Sequence, residues 1–194
     1  MNPFKIYPKV YRILYKLLPY MYTQAKLSSE QGHPLVRALF FEFPQDATSW
    51  YIEDEYMLGT VILVAPLMEE GTGRNVYLPV GEWMDYQTGQ VYTGAAWYYI
   101  EAVDIPIVML VREGTAILHL KSAALTTQHL NWEQLVCKMY VSGDATERIQ
   151  STFFHPMEQK MYEIEIVHEH GRFEFSDATK QAIHEKQWEL VRNK

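Results

Sequence analysis

The fold of this chain is decided by residues 32–66, GHPLVRALFFEFPQDATSWYIEDEYMLGTVILVAP, which contain its two most apolar runs. The first run, residues 35–43, ends at Pro44, and the second, residues 60–65, ends at Pro66. The pattern before this stretch predicts helix, and the pattern after it predicts antiparallel β structure. The stretch therefore indicates a junction between two kinds of structure.

The first apolar run predicts a strand that is covered on both faces. Apolar side chains occupy both alternating sets of positions in residues 35–43, and Arg37 and Glu42 are the exceptions. Strands buried on both faces are typical of the parallel sheets of α/β proteins. Because a predicted helix precedes the run, the pattern indicates an α/β unit.

That preceding helix is predicted over residues 8–31. Apolar side chains recur there at spacings of three and four, which places them on one helical face. Pro8 suits the start of the helix and Gly32 suits its end. Pro19 interrupts the middle, so we expect a kink or a boundary between two helices there.

The residues between the two apolar runs predict a short helix over residues 50–58. Gly59 suits its end, because glycine readily adopts a left-handed conformation. Three preceding residues have side chains suited to cap its start, namely Asp46, Thr48 and Ser49.

From residue 60 onward the sequence predicts a series of short strands. Glycine or proline lies in every connection, and the strands recur roughly every ten residues, which is typical of an antiparallel sandwich. Gln87, Thr88 and Gly89 predict a tight hairpin with the glycine at positive φ. The predicted strands cover residues 61–67, 75–78, 83–86, 90–93, 97–101, 107–111 and 116–120.

A polar stretch, residues 121–132, predicts a linker to a second β region. Residues 176–184 of this region predict a short helix capped by Ser176 or Asp177. The residues alone thus predict a mainly β fold with an N-terminal α/β piece. The strands predicted in the second region cover residues 135–141, 148–154, 160–168, 172–175 and 187–191.

The composition excludes several classes of partner. The chain has 194 residues, a formal net charge of −7 and a single cysteine, Cys137. The negative charge offers phosphates no basic surface, so we expect no nucleic-acid partner.

Cys137 lies in an apolar run, which predicts a buried, inert thiol. No segment has the length and apolarity of a signal peptide or a membrane span, so we expect a cytoplasmic protein without a membrane partner.

Two carboxylate clusters and several histidines are weak candidates for chemistry. Glycosidases need two acids that face each other across a substrate, and sequence neighbours on a helix do not face each other. A solvated helix end and a solvated turn therefore explain the carboxylates Glu53, Asp54, Glu55, Glu69 and Glu70. Without a cysteine pair or a His-Glu-x-x-His helix, we expect no metal and no cofactor at the histidines His155, His168, His170 and His184.

An aromatic cluster is the remaining candidate for ligand binding. It comprises Trp97, Tyr98 and Tyr99 together with Trp83, Tyr86 and Tyr92. Such rings form a platform for sugars, but rings on adjacent strands also simply pair across a sheet. Both interpretations stay open, with Trp83 and Trp97 as the weak candidates for substrate binding.

Four segments of the chain resemble glycoside hydrolase family 31, the family of α-glucosidases and α-xylosidases, and most closely its bacterial α-xylosidases. The resemblance covers about residues 8–120 and fades after residue 121. Its segments are LLPYMY (17–22), GHPLVRALFFEFPQD (32–46), DEYMLGTVILVAP (54–66) and NVYLPVGEWMDYQTGQVYTG (75–94).

The resemblance implies a multidomain enzyme with a (β/α)₈ barrel followed by a proximal and a distal β-sandwich. Residues 1–59 would be the end of the barrel, with the last helix at 8–31 and the last strand at 34–43. Residues 60–120 would form the proximal sandwich, residues 121–132 a linker, and residues 133–194 the distal domain.

The resemblance also implies retaining hydrolysis by two aspartates on earlier barrel strands. The nucleophile motif, Trp-x-Asp-x-Asn/Thr-Glu-like, is missing from the sequence, so no catalytic residue is assigned. The matching residues are expected to be structural or have no stated role; they are Arg37, Glu42, Asp54, Gly59, Pro66, Tyr77, Pro79, Gly81 and Trp83.

The sequence departs from the family pattern at two places. Ala38 follows Arg37 where many members have proline, and Pro106 and Arg112 are six residues apart where the family has four. The longer spacing predicts a bulge or insertion.

These observations predict the C-terminal part of an α-glycosidase that acts on terminal α-linked xylose or glucose and is inactive alone. One alternative is a non-catalytic carbohydrate-binding module. Another is an interaction piece whose apolar strand at residues 35–43 docks on a separately encoded N-terminal catalytic part or on a second copy.

Overall fold

The computed structural model describes residues 3–122, 130–143 and 148–193. The helices within these residues are α1 (Pro3–Lys16), α2 (Leu18–Gln31), α3 (Leu39–Glu42) and α4 (Asp177–Ala182). Among the strands, β1 to β7 are Val36–Ala38, Tyr56–Leu58, Ile62–Pro66, Gly73–Leu78, Glu82–Asp85, Val91–Thr93 and Ala96–Glu101. The strands β8 to β14 are Ile107–Arg112, Thr115–Leu120, Leu135–Tyr140, Arg148–His155, Lys160–Glu169, Arg172–Phe175 and Glu189–Arg192.

The N-terminal region forms two helices, as the position of Pro19 predicts. The break falls at Leu17, and Pro19 lies in the first turn of α2, where a missing backbone N–H costs little. Gly32 ends α2 at φ 76°, and its N–H donates to the Ser28 carbonyl at 2.9 Å. The expected start at Pro8 is wrong, because α1 begins at Pro3 and Pro8 lies inside it. The fixed φ of proline is compatible with a helix, although Pro8 cannot donate the i→i−4 backbone hydrogen bond.

The long strand predicted over residues 35–43 is wrong. Only Val36–Ala38 is a strand, β1, and it is followed by the single helical turn α3. The buried Arg37 guanidinium contacts the Glu42 carboxylate, and Arg37 Nε donates to the Pro34 carbonyl at 2.6 Å. A strand would hold residues 37 and 42 roughly 16 Å apart, so this ion pair requires a turn. The expected burial of both faces also fails, because Val36 is 55% exposed.

The helix predicted over residues 50–58 is also wrong. Residues Thr48–Tyr51 form a 3₁₀ turn, and Tyr56–Leu58 form β2. The expected side-chain cap is also absent, since Ala47 is the N-cap of this turn, although the Asp46 carboxylate accepts from the Thr48 N–H at 3.0 Å. Strand pairing replaces the helix because β2 lies between β1 and β3 and is hydrogen-bonded to both.

The central region contains a six-stranded sheet in the order β1-β2-β3-β8-β5-β6 and a separate two-stranded ribbon of β4 and β7. The strands predicted between residues 61 and 120 are all present, with ends that differ by one or two residues. Gly89 has the expected positive φ of 76° in its hairpin. The expected bulge before Arg112 is wrong, since β8 pairs with β3 in unbroken register from Ile107 to Val111.

The C-terminal region contains two three-stranded sheets, β14-β10-β9 and β11-β12-β13. Its predicted strands are present, and Ser176 caps α4 by accepting from the Thr179 N–H. The domain boundary at residues 121–132 stays a prediction, and its residues 123–129 lie outside the part of the chain that the structure describes. The hydrogen bonds nevertheless place β9, which was expected in the proximal sandwich, in one sheet with β10.

The core consists of three clusters of buried apolar residues. One lies between the six-stranded sheet and the ribbon, one lies within the C-terminal region, and a third joins α2, the six-stranded sheet, β9 and β10. Cys137 is fully buried, and burial raises the pKa of its thiol to about 12, which confirms the prediction of an inert cysteine. No helix in the described part of the chain is long and apolar enough to cross a membrane.

Candidate functional site

Trp83, one of the two aromatic candidates for substrate binding, is a core residue. Its side chain is 0% exposed, and its indole N–H donates to the Pro79 carbonyl at 2.8 Å. The ring of Phe43 packs beside it and the guanidinium of Arg112 lies 5.5 Å from its ring centre. Of the two interpretations left open by the sequence, burial favours the structural one for Trp83, because its side chain does not reach solvent.

The predicted aromatic cluster divides into buried and exposed parts. Tyr86 is buried, and its hydroxyl lies 3.1 Å from Nε2 of the buried His119. Burial lowers the pKa of His119 to about 3, so the imidazole is neutral. Tyr92 and Tyr98 pair edge to face at 5.1 Å, but β6 and β7 belong to different sheets, so this contact joins the six-stranded sheet to the ribbon. Trp97 and Tyr99 remain as the exposed members.

Trp97 and Tyr99 lie on the outer face of the ribbon formed by β4 and β7. They are 54% and 61% exposed, and they alternate with Tyr98, which faces the other way. Both border an open cavity of about 400 Å³, which we call the ribbon groove. Six of the residues that line it are Asp54, Glu69, Glu70, Asn75, Trp97 and Tyr99.

The ribbon groove also brings together members of both carboxylate clusters. Asp54 lies on one side of it, and Glu69 and Glu70 lie in the loop before β4. Sequence spacing alone did not predict that the two clusters lie close together, because only the fold of the intervening chain brings them to one groove. The third residue of the first cluster, Glu55, points into the protein instead, with a side chain that is 0% exposed.

Arg74 fixes one wall of the ribbon groove. Its Nη1 donates to the Pro66 carbonyl at 2.8 Å and to the Asp54 carbonyl at 3.1 Å. Its Nη2 pairs with the Asp54 carboxylate. These bonds tie three separate segments of the chain together, so the wall is ordered before any ligand arrives.

Glu55 is the carboxyl group in this region whose pKa lies furthest from its ordinary value. One oxygen accepts from the Tyr77 N–H at 2.9 Å, and the other is buried without a hydrogen-bond partner. Burial raises the pKa of Glu55 to about 7, against the smaller opposing effects of the Tyr77 N–H and of Arg74. The nearest guanidinium nitrogen of Arg74 is 3.8 Å away.

Of the four candidate histidines, His155 lies in a group of possible metal ligands with Glu133 and Glu158, whose ligand atoms are within 4.8 Å of one another. Nδ1 of the buried His155 accepts from the Glu158 N–H at 3.1 Å. Nε2 faces the Glu133 carboxylate at 3.5 Å. The ammonium of Lys186 also bridges both carboxylates. This arrangement favours an ion-pair network over a metal site.

His168, His170 and His184 do not join His155 in this group. His168 stacks on Phe173 with ring centres 4.4 Å apart. His170 occupies the turn between β12 and β13 at φ 53°, and the side chain of His184 is 71% exposed. His170 lies in a turn beyond the end of β12, so it does not share a strand face with His168.

The charged residues of the first apolar run stabilise the turn that replaces the predicted strand. Glu42 pairs with the buried Arg37 through one oxygen and lies 3.7 Å from Arg112 through the other. Arg112 in turn lies over the ring of Phe43 at 4.7 Å. These contacts connect α3 to β8, which gives Arg37 and Glu42 a structural role.

Residues 36–51 expose an unusual amount of apolar surface, and we call them the exposed apolar segment. The rings of Phe40 and Trp50 stack at 4.8 Å with both partly exposed. The sequence prediction differed, because it assigned Val36, Phe40 and Phe41 to a strand covered on both faces and placed residues 50–51 in a short helix. The exposed members are Val36, Phe40, Phe41, Trp50 and Tyr51, with exposed fractions of 38% to 83%.

Comparison with known proteins identifies the protein family that the central region matches. Residues 32–117 match the glycosyl hydrolase family 31 C-terminal domain. These residues are a family 31 C-terminal domain. The family resemblance found in the sequence is thereby confirmed, including its placement at the C-terminal portion of such enzymes.

Curated relatives of this family 31 domain include two α-glucosidases. Alpha-glucosidase 2 of Bacillus thermoamyloliquefaciens is 38% identical over 114 residues, which are 58% of this chain and 14% of the relative. The alpha-glucosidase of Saccharolobus solfataricus is 39% identical over 109 residues, which are 56% of this chain and 15% of the relative. The matched part of the chain thus spans about a seventh of each enzyme.

Solved structures show the same fold beyond the family 31 domain. A Flavobacterium johnsoniae family 31 dextranase complexed with glucose has a TM-score of 0.70 and 25% identity, covering 80% of this chain and 20% of the dextranase. The family 31 α-xylosidase of Xanthomonas citri has a TM-score of 0.64, covering 80% of this chain and 17% of its own. At 24% identity, the xylosidase shows a common fold alone.

Proposed function

We propose that the chain is the C-terminal part of a retaining α-glycosidase that acts on terminal α-linked glucose or xylose. Its sheets would support the catalytic part and supply no catalytic residue. The family 31 domain at residues 32–117 supports this proposal, as do the α-glucosidases among its relatives. The two catalytic aspartates would lie in the part of such an enzyme that the chain does not match.

The arrangement of carboxylates within the described residues supports inactivity of the chain alone. A retaining glycosidase holds two carboxyl groups about 5–5.5 Å apart on either side of the scissile bond. Glu133 and Glu158 approach to within 4.8 Å, but Lys186 bridges them and leaves no room for a sugar between them. In the ribbon groove, Asp54 is paired with Arg74.

The observation that carries the supporting role is the exposed apolar segment. Soluble monomers rarely expose large contiguous apolar patches, and such patches mark sites of protein contact. Phe40 and Trp50 stack on each other at the surface, and Tyr51 is 83% exposed. The segment lies at the beginning of the family 31 domain. We propose that the catalytic part of the enzyme covers it, either in one polypeptide or as a separate chain.

The first experiment measures hydrolysis. The purified 194-residue chain should release no nitrophenol from aryl α-glucosides or aryl α-xylosides. Activity that is lost when a carboxylate of this chain is replaced would contradict the proposal.

The second experiment measures association with a family 31 catalytic part that lacks its own C-terminal domain. Binding should be weakened by the double variant Phe40→Asp/Trp50→Asp, because two charges would be buried without partners. Trp97→Asp, at an exposed tryptophan outside the segment, is the matched control and should bind normally. Equal loss in both variants would contradict the assignment of this surface.

A cytoplasmic location remains a prediction, which fractionation of cells would test.

A further inference from the structure

The ribbon groove has a strip of aromatic and amide side chains along its floor. Asn75 lies opposite Tyr99 in the register of β4 and β7, and Tyr77 lies opposite Trp97. Directly opposed residues of an antiparallel pair share one face of the sheet. Trp97 and Tyr99 are two residues apart, so their rings stand about 7 Å apart along the strand. Two consecutive rings of a linear ligand could therefore each meet an aromatic side chain.

Contacts with Tyr77 hold the Trp97 end of the aromatic strip in place. The Tyr77 ring lies 5.4 Å from that of Trp97, and the Tyr77 hydroxyl bonds to the Asp46 carboxylate at 2.8 Å. Tyr77 is buried, whereas Trp97 keeps 54% of its surface exposed. A fixed ring with a free face costs little side-chain entropy when a ligand stacks on it.

The polar groups of the groove select among ligands that could stack on these rings. Asp54, Glu69 and Glu70 contribute three carboxylates, and the single guanidinium, that of Arg74, is already paired with Asp54. This charge balance repels phosphates, carboxylates and nucleic acids. Carboxylates accept strong hydrogen bonds from neutral hydroxyl groups. Sugars combine an apolar C–H face for the rings with hydroxyl groups for the carboxylates.

We propose that the ribbon groove binds a neutral oligosaccharide, with two sugar rings on Trp97 and Tyr99 and their hydroxyl groups on Asp54, Glu69 and Glu70. The site holds a carbohydrate without acting on it. It goes beyond the proposed function, since it needs no catalytic group and no catalytic part of an enzyme.

The experiment titrates the purified 194-residue chain with isomaltotriose and with maltotriose, by calorimetry and by ¹H–¹⁵N NMR of the five indole N–H groups. At least one of the two sugars should bind, and the Trp97 indole signal should shift. Trp97→Ala should lower the affinity about tenfold or more, as removal of a central aromatic contact does at other binding surfaces. Tyr99→Ala should lower it in the same direction.

Trp50→Ala is the matched control, because Trp50 is 56% exposed but lies in the exposed apolar segment. It should leave affinity unchanged, and circular dichroism should show that every variant is folded. A trisaccharide that carries a uronic acid should bind more weakly than its neutral counterpart.

Three results would overturn the proposal. They are the absence of binding of both neutral sugars at millimolar concentration, equal affinity of wild type and Trp97→Ala, and loss of affinity in Trp50→Ala instead. None of them bears on the association experiment with the catalytic part, so the failure of one proposal is distinguishable from the failure of the other.

Discussion

Glu55 is a buried carboxylate with two acceptor oxygens. One oxygen accepts from the Tyr77 N–H, and the other is buried without a hydrogen-bond partner. Burial raises its pKa from the usual 4.5 to about 7 in the folded protein. Between these two values the folded protein binds a proton that the unfolded chain has lost. The free energy of unfolding therefore falls as the pH rises through this window, by about 1.4 kcal/mol per pH unit.

We predict that Glu55→Gln removes this pH dependence. Glutamine cannot ionise, so relative to wild type the variant should gain roughly 3 kcal/mol of stability between pH 4.5 and pH 7, as the wild-type carboxyl ionises. Urea unfolding at several pH values measures the change in this difference, which is independent of any constant cost of the substitution. Glu53→Gln, at an exposed neighbour, is the matched control for the substitution itself. A difference between Glu55→Gln and wild type that stays constant with pH would contradict the assignment.

The two tryptophans that the sequence offered as weak candidates for substrate binding show why the site was only partly predictable. Trp83 and Trp97 both lie in strands of alternating pattern with turn residues on either side. Periodicity places a side chain on one of two faces, but it does not say which face a second sheet or a helical turn covers. The ring of Phe43, which directly follows α3, packs beside Trp83, whereas Trp97 lies on the face of the ribbon that remains open.

At the scale of elements, the strands between residues 60 and 120 were predictable because each is short and glycine or proline lies in every connection. The exposed apolar segment was not predictable in this way. Apolar side chains at both alternating sets of positions in residues 35–43 indicated a strand covered on both faces, but the ion pair of Arg37 with Glu42 requires a turn there. The same competition between local propensity and pairing converted the predicted helix at residues 50–58 into β2.

Gly59 occupies the turn where α2 packs against the start of the six-stranded sheet. Its φ is 64°, and a methyl group at this position would lie 2.3 Å from the Tyr20 hydroxyl and 2.6 Å from Gln24. The same hydroxyl donates to the Leu58 carbonyl at 2.7 Å, so it cannot move without losing a bond. Gly32 has a similar φ of 76° and nothing within 4 Å.

We predict that Gly59→Ala and Gly32→Ala differ sharply in stability. Gly32→Ala should lower the free energy of unfolding by about 1–2 kcal/mol, which is the cost of a side chain in the left-handed region. Gly59→Ala should lower it by about 3–4 kcal/mol, because crowding of Tyr20 and Gln24 adds to the same backbone cost. Denaturant unfolding of the matched pair isolates the steric contribution. Equal losses would show that α2 does not pack tightly on this turn.

At the scale of the whole molecule, the third core cluster joins the family 31 domain to the C-terminal region. Its members come from α2, from β3, β5 and β8 of the six-stranded sheet, and from β9 and β10. The hydroxyl of Thr23 on α2 also accepts from the Phe154 N–H of β11 at 2.9 Å. The division of the chain at residues 121–132 predicts two units that fold separately, but these contacts bind the units to each other.

We predict that the chain unfolds as one cooperative unit. Incorporation of 5-fluorotryptophan gives separate ¹⁹F NMR probes, with Trp83 reporting the core of the six-stranded sheet and Trp132 the core of the C-terminal region. Both signals should vanish at the same urea concentration. Ile117→Ala, in the shared cluster, should shift both midpoints equally and lower stability by about 2–5 kcal/mol. Val191→Ala, at a position 42% exposed in β14, is the control and should shift neither by much.

An earlier loss of the Trp132 signal, with the Trp83 signal unchanged, would show instead that the C-terminal region is an independent domain. The sequence could not decide between these outcomes. Strand spacing shows where strands end, but the sheet to which β9 belongs depends on its pairing with β10, across a polar stretch of the kind that separates domains in other chains. If the unfolding is cooperative, the third core cluster couples the C-terminal region to the family 31 domain. The C-terminal region then also stabilises the exposed apolar segment and the ribbon groove.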